Sequence, residues 1–365
     1  MKKKLSILIY SLAGGGAERV VSVLLSRLQN SFDITLVLMN ETIEYDIADG
    51  VKVHFLEKSN PKESGLIKLV KLPLLAYKYR SFCKKESIDI SLSFMNRPNY
   101  INVLSGVNCA IINERAMPSL QYGYDSLQSK INKILISSLY KKAFKVLSNS
   151  FGNRDDLINS FGVKSVDVIY NPVDIDKINK LASSDIDFDF EPFTFVTIGR
   201  LDVGKNHSLM IEAFSRLTNV NTQLLIIGDG DFKDVLQDKI NQLGMEDKVV
   251  LLGKQANPYK YLSRSDCFTF SSNHEGFPNV LLEALACKLP IVSTDCQSGP
   301  REILKDEYGI LTKVSDVDEF YEAMTRMVED ESLRHKFSSK AEIRVKDFNV
   351  DIISAEYEKA LMCAQ

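Results

Sequence analysis

The sequence predicts an α/β protein of two domains, each a parallel sheet covered by helices, and three observations carry that reading. Short runs rich in Ile, Leu and Val alternate with helical stretches along most of the chain, the pattern that builds parallel sheets. A polar, acid-rich stretch at 172–192 interrupts this alternation, and a fresh strand, loop and helix begin at Phe193. Finally, 365 residues are many for one core and comfortable for two.

The first strand, 4–10, is almost continuously apolar and ends in Gly14-Gly15-Gly16, with a helix opening at Ala17-Glu18-Arg19. Its positive, apolar start could be read as a leader, but no small-x-small cleavage site follows, so a first strand is expected. Strand, glycine loop and helix let backbone approach a phosphate; a tight turn explains the same residues equally well. Strands follow at 33–39, 51–56, 88–94, 109–113, 146–149 and 166–170.

Two helices between them, 66–85 and 126–145, are basic and amphipathic. The first carries Lys68 and Lys71, and Pro73 should break or kink it. The second carries Lys130, Lys133, Lys141, Lys142 and Lys145, with no acid after Asp125. Residues 1–170 hold 23 Lys+Arg against 15 Asp+Glu, and the remainder 22 against 33. This asymmetry gives the first half a partner of its own. No zinc-finger spacing or RNP-like motif supports nucleic acid, so an anionic membrane surface at the cytoplasmic face is the expected partner. No apolar run approaches the ~20 residues needed to cross a bilayer.

Expected boundaries are 1–171 for the first domain, 172–192 for the linker, 193–348 for the second domain, and 349–365 for a last helix packing back on the first. Strands of the second domain are expected at 193–199, 224–227, 249–252, 267–270 and 290–294. Arg200 and Lys205 flank the turn after the first of these, so both can point to a phosphate there. The segment 271–304 is the most informative. Pro278 suits the first position of a helix at 280–287, leaving amides near Asn279, Val280 and Leu281 free to face an anion. Glu283 is the one charge in that otherwise apolar helix, and needs ligand hydroxyls, a core Arg or a loop to cap. Six cysteines without a C-x-x-C pair, four scattered histidines and chance D-x-D pairs give no metal site.

Taken together, GGGAER at 14–19, GRLDVGKN at 199–206, and the Glu275/Glu283 pair within HEGFPNVLLEALACKLPIV resemble the retaining glycosyltransferases of the GT-B fold, family 4. The resemblance covers essentially the whole chain. IYSLAGGGAERVV and GPREIL look most like bacterial N-acetylgalactosaminyltransferases that extend saccharides on undecaprenyl diphosphate for protein N-glycosylation. The resemblance implies two Rossmann-like domains facing each other across a cleft, with the last helix crossing back. It implies UDP-N-acetylgalactosamine as donor, an undecaprenyl-diphosphate-linked saccharide as acceptor, an α-1,4 linkage, and neither metal nor other cofactor.

By the same resemblance, Arg200 and Lys205 neutralise the donor diphosphate, with help from the helix start at Asn279 and Val280 and from Gly15 and Gly16. Glu283 holds the ribose, Glu275 the sugar, and Phe277 lies in the donor site; Glu275, Arg200 and Lys205 form the catalytic set. Relatives often place a histidine after the strand at 109–113; this chain has Glu114-Arg115 instead. Other readings are transfer of a different UDP-hexose in O-antigen or capsule synthesis, a sugar-nucleotide-binding protein without turnover, and a nicotinamide oxidoreductase built on the glycine loop.

Overall fold

Seven parallel strands form the first sheet: β1 (Lys3–Ile9), β2 (Phe32–Leu38), β3 (Lys52–Phe55), β4 (Ile90–Phe94), β5 (Ala110–Glu114), β6 (Lys145–Ser148) and β7 (Asp167–Val168). The computed structural model describes residues 2–60, 63–217 and 221–362. The chain divides into two units, one running to Pro172 and resuming at Val350, the other spanning Val173–Asn349.

In the first unit the strand order is β3-β2-β1-β4-β5-β6-β7, so the chain starts at the centre and reverses its direction of growth between β1 and β4. Alternation along β1 sends Leu5, Ile7 and Ile9 to one face, against Val20, Leu24 and Leu28 of the Gly16–Leu28 helix. Leu8 turns to the other face, where Tyr79, Tyr100 and Ile136 cover it. Both faces are therefore apolar and helix-covered, as a parallel sheet requires. The last helix, Val350–Met362, buries Ile353, Tyr357 and Leu361 in the first-unit core and joins the Gly16–Leu28 helix through Asp351 and Arg27 at 2.6 Å. The expected return of the C-terminal helix is thus observed.

The second unit carries β8 (Phe193–Ile198), β9 (Thr222–Ile227), β10 (Val249–Gly253), β11 (Cys267–Phe270), β12 (Ile291–Thr294) and β13 (Ile310–Thr312), all parallel, in the order β10-β9-β8-β11-β12-β13. Its reversal lies between β8 and β11. Both sheets are doubly wound and Rossmann-like.

Three local expectations need correction, and a fourth, the break at Pro73, is observed. The stretch 172–192 contains a helix, Ile175–Ala182, because Asp174 caps it by accepting from Lys177 N at 3.0 Å and Ile178 is buried. The basic stretch 66–85 is two helices, Gly65–Val70 and Leu72–Glu86, with Pro73 in the first turn of the second, where its missing N–H costs nothing. The basic helix expected at 126–145 ends at Leu139, followed by a 3-10 turn to Lys142, because pairing of β6 with β5 claims Lys145. Pro278 caps the Asn279–Ala286 helix in an extended conformation, one residue before the helix itself. Among the described residues no helix is long and apolar enough to cross a membrane.

Candidate active site

Loops that follow the two strands flanking a reversal open a crevice at the carboxyl edge of a sheet. In the second unit these are the loops after β8 and β11. The chain leaves β8 through Gly199-Arg200-Leu201-Asp202, and Asp202 organises the turn. Its Oδ1 accepts from Lys205 N at 3.0 Å, and its Oδ2 lies 2.8 Å from Arg200 Nε. Arg200 is tethered at one nitrogen and otherwise open, with 76% of its side chain exposed. Lys205 turns inward to the Glu275 carboxylate and passes 5.6 Å from the centre of the Phe270 ring. Those two side chains are 23% and 13% exposed, so the pair is largely shielded from water.

Backbone geometry imposes this meeting. Asn206 adopts a left-handed φ of 47° and its amide donates to Asn273 Oδ1 at 3.0 Å, while Asn273 N donates to Gly204 O at 2.8 Å. The loops after β8 and β11 are thus stitched together before charge attracts anything. The loop after β9 supports them from beneath: a Cβ on Gly228 would lie 1.8 Å from Gly199 O, and one on Gly230 2.4 Å from Leu201 O. With φ of 154° and 159°, only glycine fits at either position.

The Asn279–Ala286 helix follows. Asn279 and Val280 are half-buried at its start, whereas Leu281 N donates to Pro278 O at 3.2 Å and does not face an anion as expected. Glu283 is 2% exposed among Leu281, Leu282, Ala284 and Leu285. Phe277 is buried with its ring 5.7 Å from that of Phe348, a packing contact that anchors the loop. Arg200, Lys205 and Glu275 are therefore assembled in one pair of loops, with Glu283 on the helix they feed. Gly15 and Gly16 belong to the first unit, at the start of the Gly16–Leu28 helix, where Gly15 is the extended N-cap.

Sequence reading missed three contributors. Asp202 was legible as a capping residue three positions before Lys205. The Asn206–Asn273 bond joins residues far apart in the chain and left no local signal. His207 is buried with no hydrogen-bond partner on Nδ1 among the described residues, and burial, then Lys205, push its imidazole down to about 4, so it stays neutral.

Where relatives of the resembled family carry a histidine, Glu114 and Arg115 are buried. Glu114 Oε1 accepts from Arg115 N at 2.9 Å and Ala116 N at 3.3 Å, and Tyr140 Oη donates to its Oε2 at 2.5 Å. Burial raises its carboxyl to about 7 despite these bonds. Arg115 donates to Asn171 Oδ1 and, at 3.3 Å, to Tyr357 Oη, tying the loop after β5 to the last helix.

The basic residues divide into two sets. Lys71 is held between Glu57, at 3.1 Å, and Glu63; Lys130 pairs with Asp125 at 2.7 Å; Lys145 pairs with Asp167 at 3.5 Å. Lys68 Nζ lies 5.9 Å from the Tyr10 ring centre. Lys133 is half-buried and Lys141 and Lys142 are exposed, in the same unit as exposed Tyr124, Leu127 and Ile134.

Comparison with known proteins gives this geometry its context. The family described as glycosyl transferases group 1 matches residues 181–344. The N-acetylgalactosamine-N,N'-diacetylbacillosaminyl-diphospho-undecaprenol 4-alpha-N-acetylgalactosaminyltransferase of Campylobacter jejuni is 42% identical over 367 residues, covering 99% of this chain and 100% of that one. A second protein of that organism, GalNAc-alpha-(1->4)-GalNAc-alpha-(1->3)-diNAcBac-PP-undecaprenol alpha-1,4-N-acetyl-D-galactosaminyltransferase, is 26% identical over 371 residues, with 98% of each chain covered. Among solved structures, Anabaena HepE in complex with UDP and glucose superposes with a TM-score of 0.80 at 19% identity, over 99% of both chains, a likeness of fold. Identity sustained from end to end with a glycosyltransferase, on paired doubly wound sheets, leads to one assignment: the chain belongs to the group 1 glycosyltransferases, family 4, and is a hexosyltransferase of the GT-B fold.

Proposed function

We propose that this enzyme moves N-acetylgalactosamine from UDP-N-acetylgalactosamine to a saccharide carried on undecaprenyl diphosphate, forming an α-1,4 linkage during N-glycan precursor assembly. The observation that carries the reading is the 42% identity, over the whole length, to the Campylobacter enzyme named for that transfer. The second unit supplies compatible chemistry. Loss of UDP leaves charge on the diphosphate, and donors already aimed at that charge lower the barrier without reorganising. Arg200, open to solvent, and Lys205, whose ammonium has three donors, take the diphosphate; Lys205 can keep Glu275 with one donor and reach a phosphate oxygen with another. The amides of Asn279 and Val280 add the positive end of the helix dipole. Glu275 takes sugar hydroxyls and Glu283 the ribose hydroxyls, which makes both binding groups rather than a hydrolytic acid and nucleophile. Phe277 steadies the loop from behind. No metal is required in this scheme.

Exposed Lys141 and Lys142, with Lys133 and the exposed Tyr124, Leu127 and Ile134 of the same unit, would hold the enzyme against the anionic cytoplasmic face of the membrane, where such an acceptor resides. The test is UDP release, with mass spectrometry of the product, across UDP-N-acetylgalactosamine, UDP-N-acetylglucosamine and UDP-glucose on undecaprenyl-diphosphate-linked saccharides. Transfer preferring UDP-N-acetylgalactosamine supports the assignment. A preference for another donor turns it toward surface-polysaccharide synthesis, and donor binding without UDP release would make the chain a sugar-nucleotide-binding protein.

A further inference from the structure

The first sheet also reverses, between β1 and β4, and the residues around that reversal form a polar cluster that no role above uses. Tyr10 follows β1, Arg97 lies in the first turn of the Asn96–Leu104 helix after β4, and Glu57 and Ser59 follow β3. Arg97 lies 3.3 Å from Glu57 and donates to Ser59 Oγ, also at 3.3 Å; Lys71 bridges Glu57 and Glu63. Tyr10 is close enough to feel the charges of Arg97, Glu57 and Glu63. The side chains of Arg97, Glu57 and Glu63 are only 14%, 15% and 13% exposed.

Three buried atoms in this cluster make no hydrogen bond among the described residues: Tyr10 Oη, which lies close to Ser59, Arg97 Nε and Glu63 Oε2. Buried polar atoms are normally satisfied, so three orphans in one place mark a position awaiting a ligand. They comprise a donor, an acceptor and a group that can be either. Arg97 and Lys71 are matched by Glu57 and Glu63, so these four groups leave no net charge for a ligand. An uncharged ligand that both donates and accepts, such as a saccharide with hydroxyl and acetamido groups, satisfies all three. The place fits as well, since α/β sheets take ligands at the carboxyl ends of the strands beside their reversal. Beside the cluster, the Gly65–Val70 helix turns Lys68 toward Tyr10 and leaves Leu66 and Val70 exposed, at 47% and 80%.

We propose that Tyr10, Glu63 and Arg97 form the recognition site for the saccharide of the lipid-linked acceptor, and that Leu66 and Val70 meet its polyprenyl part. The inference rests on the proposed transfer reaction and adds to it the residues that read the acceptor. Tyr10→Phe removes a hydroxyl that makes no hydrogen bond among the described residues, so it should fold and melt like the parent; Glu63→Gln keeps the shape but gives up the charge that Lys71 meets, and should melt slightly lower while staying folded. Each should raise KM for the undecaprenyl-diphosphate-linked saccharide at least tenfold, leaving KM for UDP-N-acetylgalactosamine and its slow hydrolysis without acceptor unchanged. Leu66→Ser with Val70→Ser should raise acceptor KM for the polyprenyl substrate and not for the same saccharide on a short water-soluble alkyl chain. If wild-type enzyme transfers and the Tyr10 and Glu63 variants keep its acceptor KM, or if both substrates' KM values move together, the site is wrong and the reaction stands. Wild-type enzyme that transfers nothing to a lipid-linked saccharide removes both.

Discussion

The two sheets reverse at matching places, yet they furnish those places in opposite ways. In the second unit the crevice rests on backbone: Gly228 and Gly230 press against the carbonyls of Gly199 and Leu201, Asp202 caps a turn, and this packing fixes the loops from which Arg200, Lys205 and Glu275 project. In the first unit it is made of side chains, Tyr10, Glu57, Glu63, Lys71 and Arg97, drawn from four separate segments. The group 1 family match, residues 181–344, falls inside the second unit. A backbone cradle tolerates little change and suits a ligand part that many enzymes share; a side-chain cluster can be rewritten residue by residue and suits a part that differs between them. Under the proposed function these parts are the donor diphosphate and the acceptor saccharide.

The largest expected effect strikes the backbone side of this contrast. Gly228→Ala places a Cβ 1.8 Å from Gly199 O at a φ of 154°. Unfolding in urea should show a loss of about 3–5 kcal/mol. Tyr10→Phe, at the side-chain reversal, should cost less than about 1 kcal/mol in the same assay, since its hydroxyl makes no hydrogen bond among the described residues. Equal losses would erase the distinction between the two crevices.

Next in size is the cationic pair. Lys205→Ala should lower the transfer rate about 10²–10³-fold, the usual consequence of losing a preorganised charge at the leaving group. It should also lower the melting temperature, because Glu275 keeps its shielded place without an ion partner. Arg200→Ala should cut activity by a similar factor while leaving the melt unchanged, since an exposed pair such as that with Asp202 contributes little to stability. Full activity in both variants would remove the diphosphate role from this loop.

These two loops were legible in the sequence because a strand, a turn and a helix start lie side by side in it. Twelve of the thirteen strands were foreseen to within a few residues. The exception is β13, where Ile310-Leu311-Thr312 is too short to show a period. Local competition moved other boundaries: Asp174 starts a helix inside an acid-rich stretch, and β-pairing takes Lys145 from the basic helix. The first-unit cluster was invisible for a stronger reason. Residues 10, 57, 63, 71 and 97 have no common spacing, and only the strand order β3-β2-β1-β4 brings them together. Glu114 was legible as a departure from the family pattern, but its burial was not.

Glu114 offers a pH test that separates the buried polar centre of the first unit from the open cationic loop of the second. Burial lifts its carboxyl from 4.5 in a free chain to about 7, with Tyr140, Tyr100, Tyr122 and Arg115 around it. Because the folded value is the higher one, its contribution to stability is whole below about pH 4.5 and drains away as pH rises through about 7. Glu114→Gln keeps an acceptor for the two amides and cannot ionise. From pH 4.5 to 8 the variant should therefore gain on the wild type, by about 3 kcal/mol at most. A gap that stays constant across this range would show that Glu114 does not titrate there.

The smallest expected effect concerns the outer face of the first unit, as distinct from its crevice. Lys141 and Lys142 are exposed and among the described residues make no ion pair, whereas Lys71, Lys130 and Lys145 are each matched by carboxylates within the fold. A lysine near an anionic bilayer contributes about 1 kcal/mol to attraction, so Lys141→Gln with Lys142→Gln should weaken co-sedimentation with phosphatidylglycerol vesicles roughly thirtyfold. Added salt should weaken wild-type binding in the same way, because the attraction is screened over about 10 Å at 0.1 M. On a water-soluble acceptor the double variant should turn over at the wild-type rate, which Tyr10→Phe should not. Equal binding of wild type and variant to anionic vesicles would mean that these lysines are an ordinary solvated face, and would leave the apolar side chains alone to account for any hold on the membrane.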